Sequence, residues 1–261
     1  MDFLQQLVAR LPAEPVPVRG VWIGPYWTAV QTARGTGLAT TTLADGPTHG
    51  PHAQHMAAAG TLVGRDAREL AAGVASSFAL ARSLGLAALN ALLPEPIGKI
   101  SERNAGELAC AMGAGQVVGV VGWFPFIPQL KKHAAAVEIF EKDPQTGYTL
   151  TTERAERLAR CDGLCVTASA LVNQTLGGIL AAVQPGAWKI LVGPSAPLCA
   201  ESLELGFTAI CGARVTDTDA VVRWCDFALV VSGTVTLQIA RQSKPMVAFY
   251  RPNPLVYWLA A

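Results

Sequence analysis

The sequence predicts an α/β protein in which a small α+β domain, a meander plus helices, precedes a mostly parallel sheet with helices on both faces. In residues 163–195 two short apolar runs flank one helical run, which is typical of a parallel βαβ unit buried on both faces. From residue 116 onward strand and helix patterns alternate, as a doubly wound sheet requires. Before residue 116 the strand-like runs come first and the helical runs follow, which predicts a separate α+β domain.

The start of the chain predicts a helix and then an antiparallel meander. Residues 2–10 have the pattern of a short amphipathic helix, which the prolines after it end. Three β-rich runs then occupy residues 18–23, 27–32 and 38–43. The glycine-containing connection at 33–37 is typical of a hairpin, so we expect these strands to be antiparallel neighbours.

A loop and two helices complete the first predicted domain. Residues 44–60 are rich in Gly, Pro and His and have no usable period, which predicts a loop. Asp66 is a suitable N-cap for a helix that is predicted to reach residue 80, and a second helix is predicted over 83–92. Residues 97–106 are predicted to form a connecting segment.

We place the domain boundary near Gly115, so that the predicted domains are residues 1–115 and 116–261. Helices are expected between most strands of the second domain. The apolar runs of this domain predict strands at residues 117–121, 137–140, 164–167, 189–192, 208–211, 227–231 and 245–249.

The composition favours a globular protein with a small-molecule partner. With 51% hydrophobic and 15% charged residues, the chain of 261 residues can bury a large core. Its 20 basic and 19 acidic residues form no long charge run, so a nucleic-acid partner is not expected. No signal-peptide pattern and no stretch of about 20 apolar residues is found, which predicts a cytoplasmic protein without a membrane span. The six cysteines lie mostly in apolar segments and are expected to be reduced and buried.

The carboxyl ends of the strands at 164–167 and 189–192 are the predicted ligand site, because open α/β sheets bind ligands at that edge. We expect the backbone of 193–195, with the N–H groups of a following helix, to receive a polar or anionic group. The side chains of Asn173 and Thr175 should converge on the same edge. Two simpler interpretations stay open. Residues 193–195 could form only a tight turn, and Asn173 and Thr175 could only cap the helix predicted over 173–183.

The glycines around the strand at 117–121 do not match a dinucleotide fingerprint, because they precede and enter the strand. Aromatic residues and proline follow the strand instead, at residues 123–126. This pattern argues against ordinary NAD binding and predicts a rigid apolar wall.

Candidate metal ligands are concentrated in the predicted loop, where His49, His52 and His55 form an HxxHxxH pattern. Neutral imidazoles suit zinc, copper, nickel or iron, so a divalent transition metal is the candidate cofactor. The alternative, a solvated polar loop, is favoured because no matched acidic or cysteine ligand is near in sequence. Glu138 and Glu141 could bind a metal or act as a base, although a solvated strand end is the more common arrangement.

Several segments closely resemble the bacterial and archaeal family called putative heavy-metal chelation proteins. The resemblance covers roughly residues 16–222 and rests on VWIGPYWTAV, GLAT, ARSLGLAALNALL, VVGVVGWFPF, VTASALVNQTL, LVGPSAPL and GFTAICGARV. It implies an enolase-N-terminal-like domain followed by a Rossmann-like domain, with the ligand in the cleft between them. The ligand-binding positions that it implies are Asn90, Gly122, Phe124, Pro125, Asn173, Thr175, Gly193, Pro194 and Ser195. Trp123 stands where many relatives are expected to carry a histidine, which weakens the case for metal binding or proton transfer at that corner.

Residues 224–261 resemble part of the C-terminal half of lipid-A-disaccharide synthase, a glycosyltransferase that uses a UDP-sugar. The resemblance implies a nucleotide phosphate contact at Ser232, Gly233 and Thr234, with Gln238 where a glutamate is expected. Because the acceptor-binding half of that enzyme has no counterpart, glycosyl transfer by this chain alone is not expected. Binding of a UDP-sugar is therefore the alternative to binding of a small polar, anionic or metal-containing ligand. Enzymatic activity and homo-oligomer formation are left open.

Overall fold

The computed structural model describes residues 3–42, 60–94, 103–141, 151–224, 228–231 and 246–249. The contacts divide the chain into two compact units. The meander unit comprises Pro12–Leu92 and Val215–Ala261, and the parallel unit comprises Met1–Leu11 and Leu93–Arg214. Residues 93–115 therefore belong with the parallel sheet, whereas the sequence predicted a boundary near Gly115.

An antiparallel meander forms the core of the meander unit, as predicted. Strands β1 (Val18–Ile23), β2 (Trp27–Thr32) and β3 (Thr36–Thr40) pair in sequence order. The third strand begins and ends earlier than the predicted 38–43. Helix α3 (Ala79–Leu92) packs across β2 and β3, and its buried leucines and alanines form most of the contact.

The helix predicted from Asp66 to residue 80 is shorter than expected. Asp66 does cap α2 (Ala67–Ala71), since its Oδ1 accepts the Arg68 amide at 3.1 Å, and a 3₁₀ turn, Ala72–Ala75, follows. The chain then becomes extended at Ser76, whose Oγ accepts the Phe78 amide at 3.0 Å. This side-chain hydrogen bond competes with the helical pattern, and α3 begins after it.

Two strands from the end of the chain join the meander sheet, not the parallel sheet for which they were predicted. β9 (Ala228–Val231) and β10 (Met246–Phe249) pair with each other in parallel. β9 also lies antiparallel to β1, with Ile23 opposite Leu229, so the sheet order is β10-β9-β1-β2-β3. Their apolar sequences predicted strands correctly, but the choice of sheet depends on which edge is available to them.

The parallel unit contains a sheet of five strands, and the predicted strands are confirmed to within one residue at each end. The strands are β4 (Val117–Val121), β5 (Ala136–Phe140), β6 (Gly163–Thr167), β7 (Trp188–Val192) and β8 (Ala209–Cys211). All neighbours are parallel, in the order β5-β4-β6-β7-β8. Continuous apolar strands of this kind are buried on both faces.

Helices cover both faces of this sheet. α4 (Ala105–Met112) and α5 (Ile127–His133) bury their apolar side chains against β4 and β7 on one face. α6 (Thr152–Leu158) packs with α8 (Leu176–Ala182), and right-handed crossovers place these two helices on the opposite face. α4 begins inside the predicted connecting segment 97–106 and was not predicted.

The remaining helices are short. They are α1 (Phe3–Ala9), α7 (Ser169–Val172), a 3₁₀ helix at Ala200–Leu205, and α9 (Thr218–Trp224). In the described part of the chain, no helix has both the length and the apolar character that crossing a membrane requires.

Candidate functional site

The strand order of the parallel sheet contains one point at which the direction of winding reverses. After β4 the chain moves to β5 on one side, and after β5 it returns past β4 to β6 on the other side. The connections that leave β4 and β6 therefore separate to opposite faces, and open α/β sheets bind ligands at the carboxyl ends of two such strands. The predicted corner lies one strand away, between β6 and β7, where Thr167 and Val192 are neighbours as expected.

The β4 side of this switch point begins with a glycine in the left-handed region. Gly122 has a φ of 97°, and its amide donates to the Phe140 carbonyl at 3.0 Å. A Cβ added to Gly122 would lie 3.1 Å from both Cβ and Cγ2 of Thr167. The backbone after β4 therefore passes directly against the end of β6, where a larger residue would be strained and crowded.

Stacked aromatic rings follow this glycine. The rings of Phe124 and Phe126 lie 5.0 Å apart between centroids, with planes 9° from parallel. Phe126 in turn packs against the backbone of Gly106 in α4. Pro125, which lies between these two residues in the sequence, is exposed. The role of these residues as the wall of a ligand site stays a prediction.

The β6 side of the switch point carries a pair of hydroxyl groups. Oγ1 of Thr167 and Oγ of Ser169 are 3.0 Å apart, and the Ser169 amide donates to Oγ1 of Thr167 at 3.3 Å. Between them, the Ala168 amide donates to the Val192 carbonyl at 2.8 Å, which ties the turn to β7. Because each hydroxyl has one donor and two acceptor positions, the pair retains capacity for a further polar group.

The turn after β7 is tight, as one of the sequence-based alternatives predicted. Gly193 has a φ of 128°, its amide donates to the Cys211 carbonyl at 2.8 Å, and its carbonyl accepts the Ala196 amide at 3.0 Å. Ser195 is only 1% exposed, and Pro194 lies beside it at the same turn. The next helical segment is the 3₁₀ helix that begins at Ala200, and the binding role expected of its N–H groups stays a prediction.

The helix predicted over 173–183 begins three residues later, as α8, and a short helix, α7, precedes it. Thr175 occupies the N-cap position of α8. Asn173 ends α7 and its amide donates to the Ser169 carbonyl at 3.0 Å, while Thr175 stands before α8 without a side-chain capping bond. Gln174, between them, has a φ of 59°. It is the one non-glycine residue of the described chain with a positive φ, and no feature of the sequence pointed to it. Such strain is concentrated at functional sites.

Replacing Gln174 with Gly is expected to raise the free energy of unfolding by about 0.5 kcal/mol. The substitution removes the left-handed penalty of about 1–2 kcal/mol, which the greater entropy of glycine in the unfolded chain partly offsets. Urea denaturation of Q174G and of the control Q174A, which keeps the Cβ atom, measures the difference. A Q174G protein that is less stable than Q174A would contradict the left-handed assignment.

The side chains at the switch point do not fit a directly bound heavy metal. They supply hydroxyl and backbone groups, whereas soft transition metals prefer imidazole and thiolate. No group of three His, Cys, Asp or Glu side chains suited to a metal ion occurs among the described residues. Burial raises the pKa of the Cys161 thiol to about 11 and that of Cys165 to about 12, which disfavours the thiolate form that binds metals.

Glu138 is not available as the base or metal ligand that the sequence allowed. Its Oε2 accepts Nε of Arg157 at 2.9 Å and also contacts a terminal nitrogen of the same guanidinium. The guanidinium lies over the Phe140 ring, 5.0 Å from its centroid. The hydrogen bond that Arg157 donates to Glu138 raises the pKa of Arg157, and the two groups form an ion pair.

Several predicted site residues lie elsewhere. Asn90 belongs to α3 in the meander unit, where its side-chain nitrogen donates to the Leu38 carbonyl at 2.9 Å, and its role in a shared site stays a prediction. The residues that lie outside the described part of the chain are His49, His52, His55, Ser232, Gly233, Thr234 and Gln238. Their metal and phosphate roles also stay predictions.

Comparison with known families gives three matches. Two family models, each described as "Putative heavy-metal chelation", match residues 104–234 and residues 5–93. A model for lipid-A-disaccharide synthetase matches residues 213–261.

The chain is similar to solved structures of the DUF364 family. A protein of unknown function from Desulfitobacterium hafniense is 25% identical, with a TM-score of 0.70, and the match covers 85% of this chain and 90% of that chain. A second protein of unknown function from Pyrococcus horikoshii is 21% identical, with a TM-score of 0.62 and the same coverage. These similarities agree with the fold described above.

Two curated proteins are also similar over part of the chain. An uncharacterized protein of Methanocaldococcus jannaschii is 28% identical over 163 residues, which cover 59% of this chain and 63% of that protein. The lipid-A-disaccharide synthase of Geobacter sulfurreducens is 42% identical over 76 residues, which cover 29% of this chain and 18% of the enzyme. The chain thus spans less than two thirds of either protein.

Proposed function

Because the chain belongs to the family described as "Putative heavy-metal chelation", whose model matches half of it, we propose that it binds a small anionic, metal-chelating ligand at the switch point. The observation that carries this proposal is the hydroxyl pair of Thr167 and Ser169, which lies where the connections of β4 and β6 separate. Ligands of open α/β sheets bind at this position.

The donor set of the site supports recognition of the organic part of a chelate. The hydroxyls of Thr167 and Ser169 can donate to carboxylate oxygens, and hydrogen bonds to charged acceptors are the stronger ones. A metal ion enters this proposal as part of the ligand, held by the ligand's own oxygens. The proposal therefore needs no thiolate or imidazole from the switch point.

Titration calorimetry with three probes tests this function: citrate, Ni²⁺, and the Ni²⁺–citrate complex. We expect citrate or its nickel complex to bind the wild-type protein, and T167V or S169A to weaken binding about tenfold, because each removes one hydrogen bond to a charged group. T208V is the matched control, since the Thr208 hydroxyl accepts the Lys189 amide at the opposite end of the same sheet.

Equal affinity of T167V, S169A and the wild type would contradict the proposal. Binding of free Ni²⁺ alone, lost when His49, His52 and His55 are replaced by alanine, would also contradict it, because that result assigns the metal directly to these histidines.

A further inference from the structure

An exposed tryptophan stands at the switch point. Trp123 is the second residue after β4 and is 67% exposed. Among the described residues, the other large apolar side chains with comparable exposure are Tyr26, Val63 and Leu203, and none of these follows β4 or β6. Tryptophan is the largest apolar side chain, so leaving most of its surface in water sacrifices a substantial hydrophobic contribution to folding.

The fold does not need an indole at this position. The apolar packing after β4 is supplied by Phe124 and Phe126, whose stacked rings reach toward Gly122 and Gly106. Gly122, with its positive φ, turns the chain at this point. The side chain of Trp123 is exposed, whereas that of Phe124 is half-buried. A polar residue at position 123 could adopt the same backbone conformation. The indole is therefore better explained by contact with a molecule outside the folded chain.

We infer that Trp123 is a stacking platform, and that the ligand of the proposed site carries a planar, conjugated ring. This inference rests on the proposed function and narrows its ligand class. Aromatic faces prefer offset-stacked partners, and tryptophan offers the largest such face. In this proposal the ring lies on the indole and its anionic edge faces the hydroxyls of Thr167 and Ser169, because Trp123 follows Gly122, which lies against Thr167.

A matched pair of dicarboxylates tests the ring. Pyridine-2,6-dicarboxylate is planar and conjugated, whereas piperidine-2,6-dicarboxylate carries the same carboxylates on a saturated, puckered ring. We expect the wild type to bind the planar acid about tenfold more tightly than the saturated one, a preference of the size that single base-stacking contacts show. W123A should remove the preference, and W123F should retain most of it.

Fluorescence supplies a second measurement that does not depend on affinity alone. The chain has six tryptophans, so the difference between the wild-type and W123F spectra isolates the signal of Trp123. The planar acid should quench this difference signal on binding. Y26A is the control, because Tyr26 is 74% exposed but lies in the meander unit, and this variant should bind both acids as the wild type does.

The outcomes separate this inference from the proposed function. If T167V weakens both acids while the planar and saturated acids bind equally and W123A has no effect, the proposed function stands and the stacking platform is wrong. If neither acid binds the wild-type protein, the inference that the ligand is a planar anion is also wrong. If W123A instead changes the sedimentation coefficient of the protein, Trp123 serves association between copies of the chain, which also overturns the inference.

Discussion

Replacing Gly37 with Ala is expected to lower the free energy of unfolding by about 3 kcal/mol or more. A Cβ at Gly37 in β3 would lie 2.1 Å from the Ala87 carbonyl oxygen and 2.3 Å from the Ala91 nitrogen. Both atoms belong to the backbone of α3, which cannot yield as a flexible side chain can. The helix and the strand must therefore separate, and the buried face of α3 loses its packing.

Gly177 provides the control for this substitution. It lies in α8, and a Cβ at this position would have no atom within 4 Å. G177A should therefore stabilise the protein by about 0.5–1 kcal/mol through helix propensity. Urea denaturation of both variants gives the comparison. A G37A protein as stable as the wild type would mean that α3 does not lie on β3 at the described distance.

Above pH 9 we expect the protein to lose stability steeply. The pKa of Cys165 is raised to about 12 and that of Cys161 to about 11, from an ordinary value of 9.0, mainly because burial disfavours the thiolate. From about pH 9 the unfolded chain releases these protons while the folded chain keeps them. The unfolded state is then favoured by about 1 kcal/mol per pH unit for each thiol, until pH passes the folded pKa values.

Urea denaturation at pH 7, 9, 10 and 11 in the presence of a reductant measures this loss. C165A and C161A each remove one of the two thiols and should show a shallower fall of stability with pH, whatever their stability at pH 7. Lysine and tyrosine titrate equally in all three proteins, so the difference in slope isolates the cysteines. Identical slopes would show that the buried thiols do not contribute.

The sequence predicted the parallel strands well because their signal is local. A strand buried on both faces is a continuous run of Val, Ile and Leu, as in β4 and β7, and Asp66 and Gly35 provided cap and turn signals that act over a few residues. The left-handed turn between α7 and α8 was not predictable, because glutamine has no general preference for the backbone conformation that Gln174 adopts.

The candidate site was predicted only in part for a related reason. The sequence indicated that ligands belong at the carboxyl ends of the parallel strands, and it identified Gly122, Phe124 and Gly193 as residues of that edge. It did not show that β6 follows β4 in space while β5 lies on the other side, so the switch point between β4 and β6 was not predicted. Thr167 received no role, because its hydroxyl becomes notable only when Ser169 and Gly122 are in contact with it.

By itself the sequence determined most of the strands and the two kinds of sheet, since these follow from the period and polarity of neighbouring residues. The tertiary structure alone decided the strand order, the attachment of β9 and β10 to the meander sheet, and the pairing of Glu138 with Arg157. Those features join residues that are far apart in the chain, and their free energies depend on which partners the folded chain brings within reach.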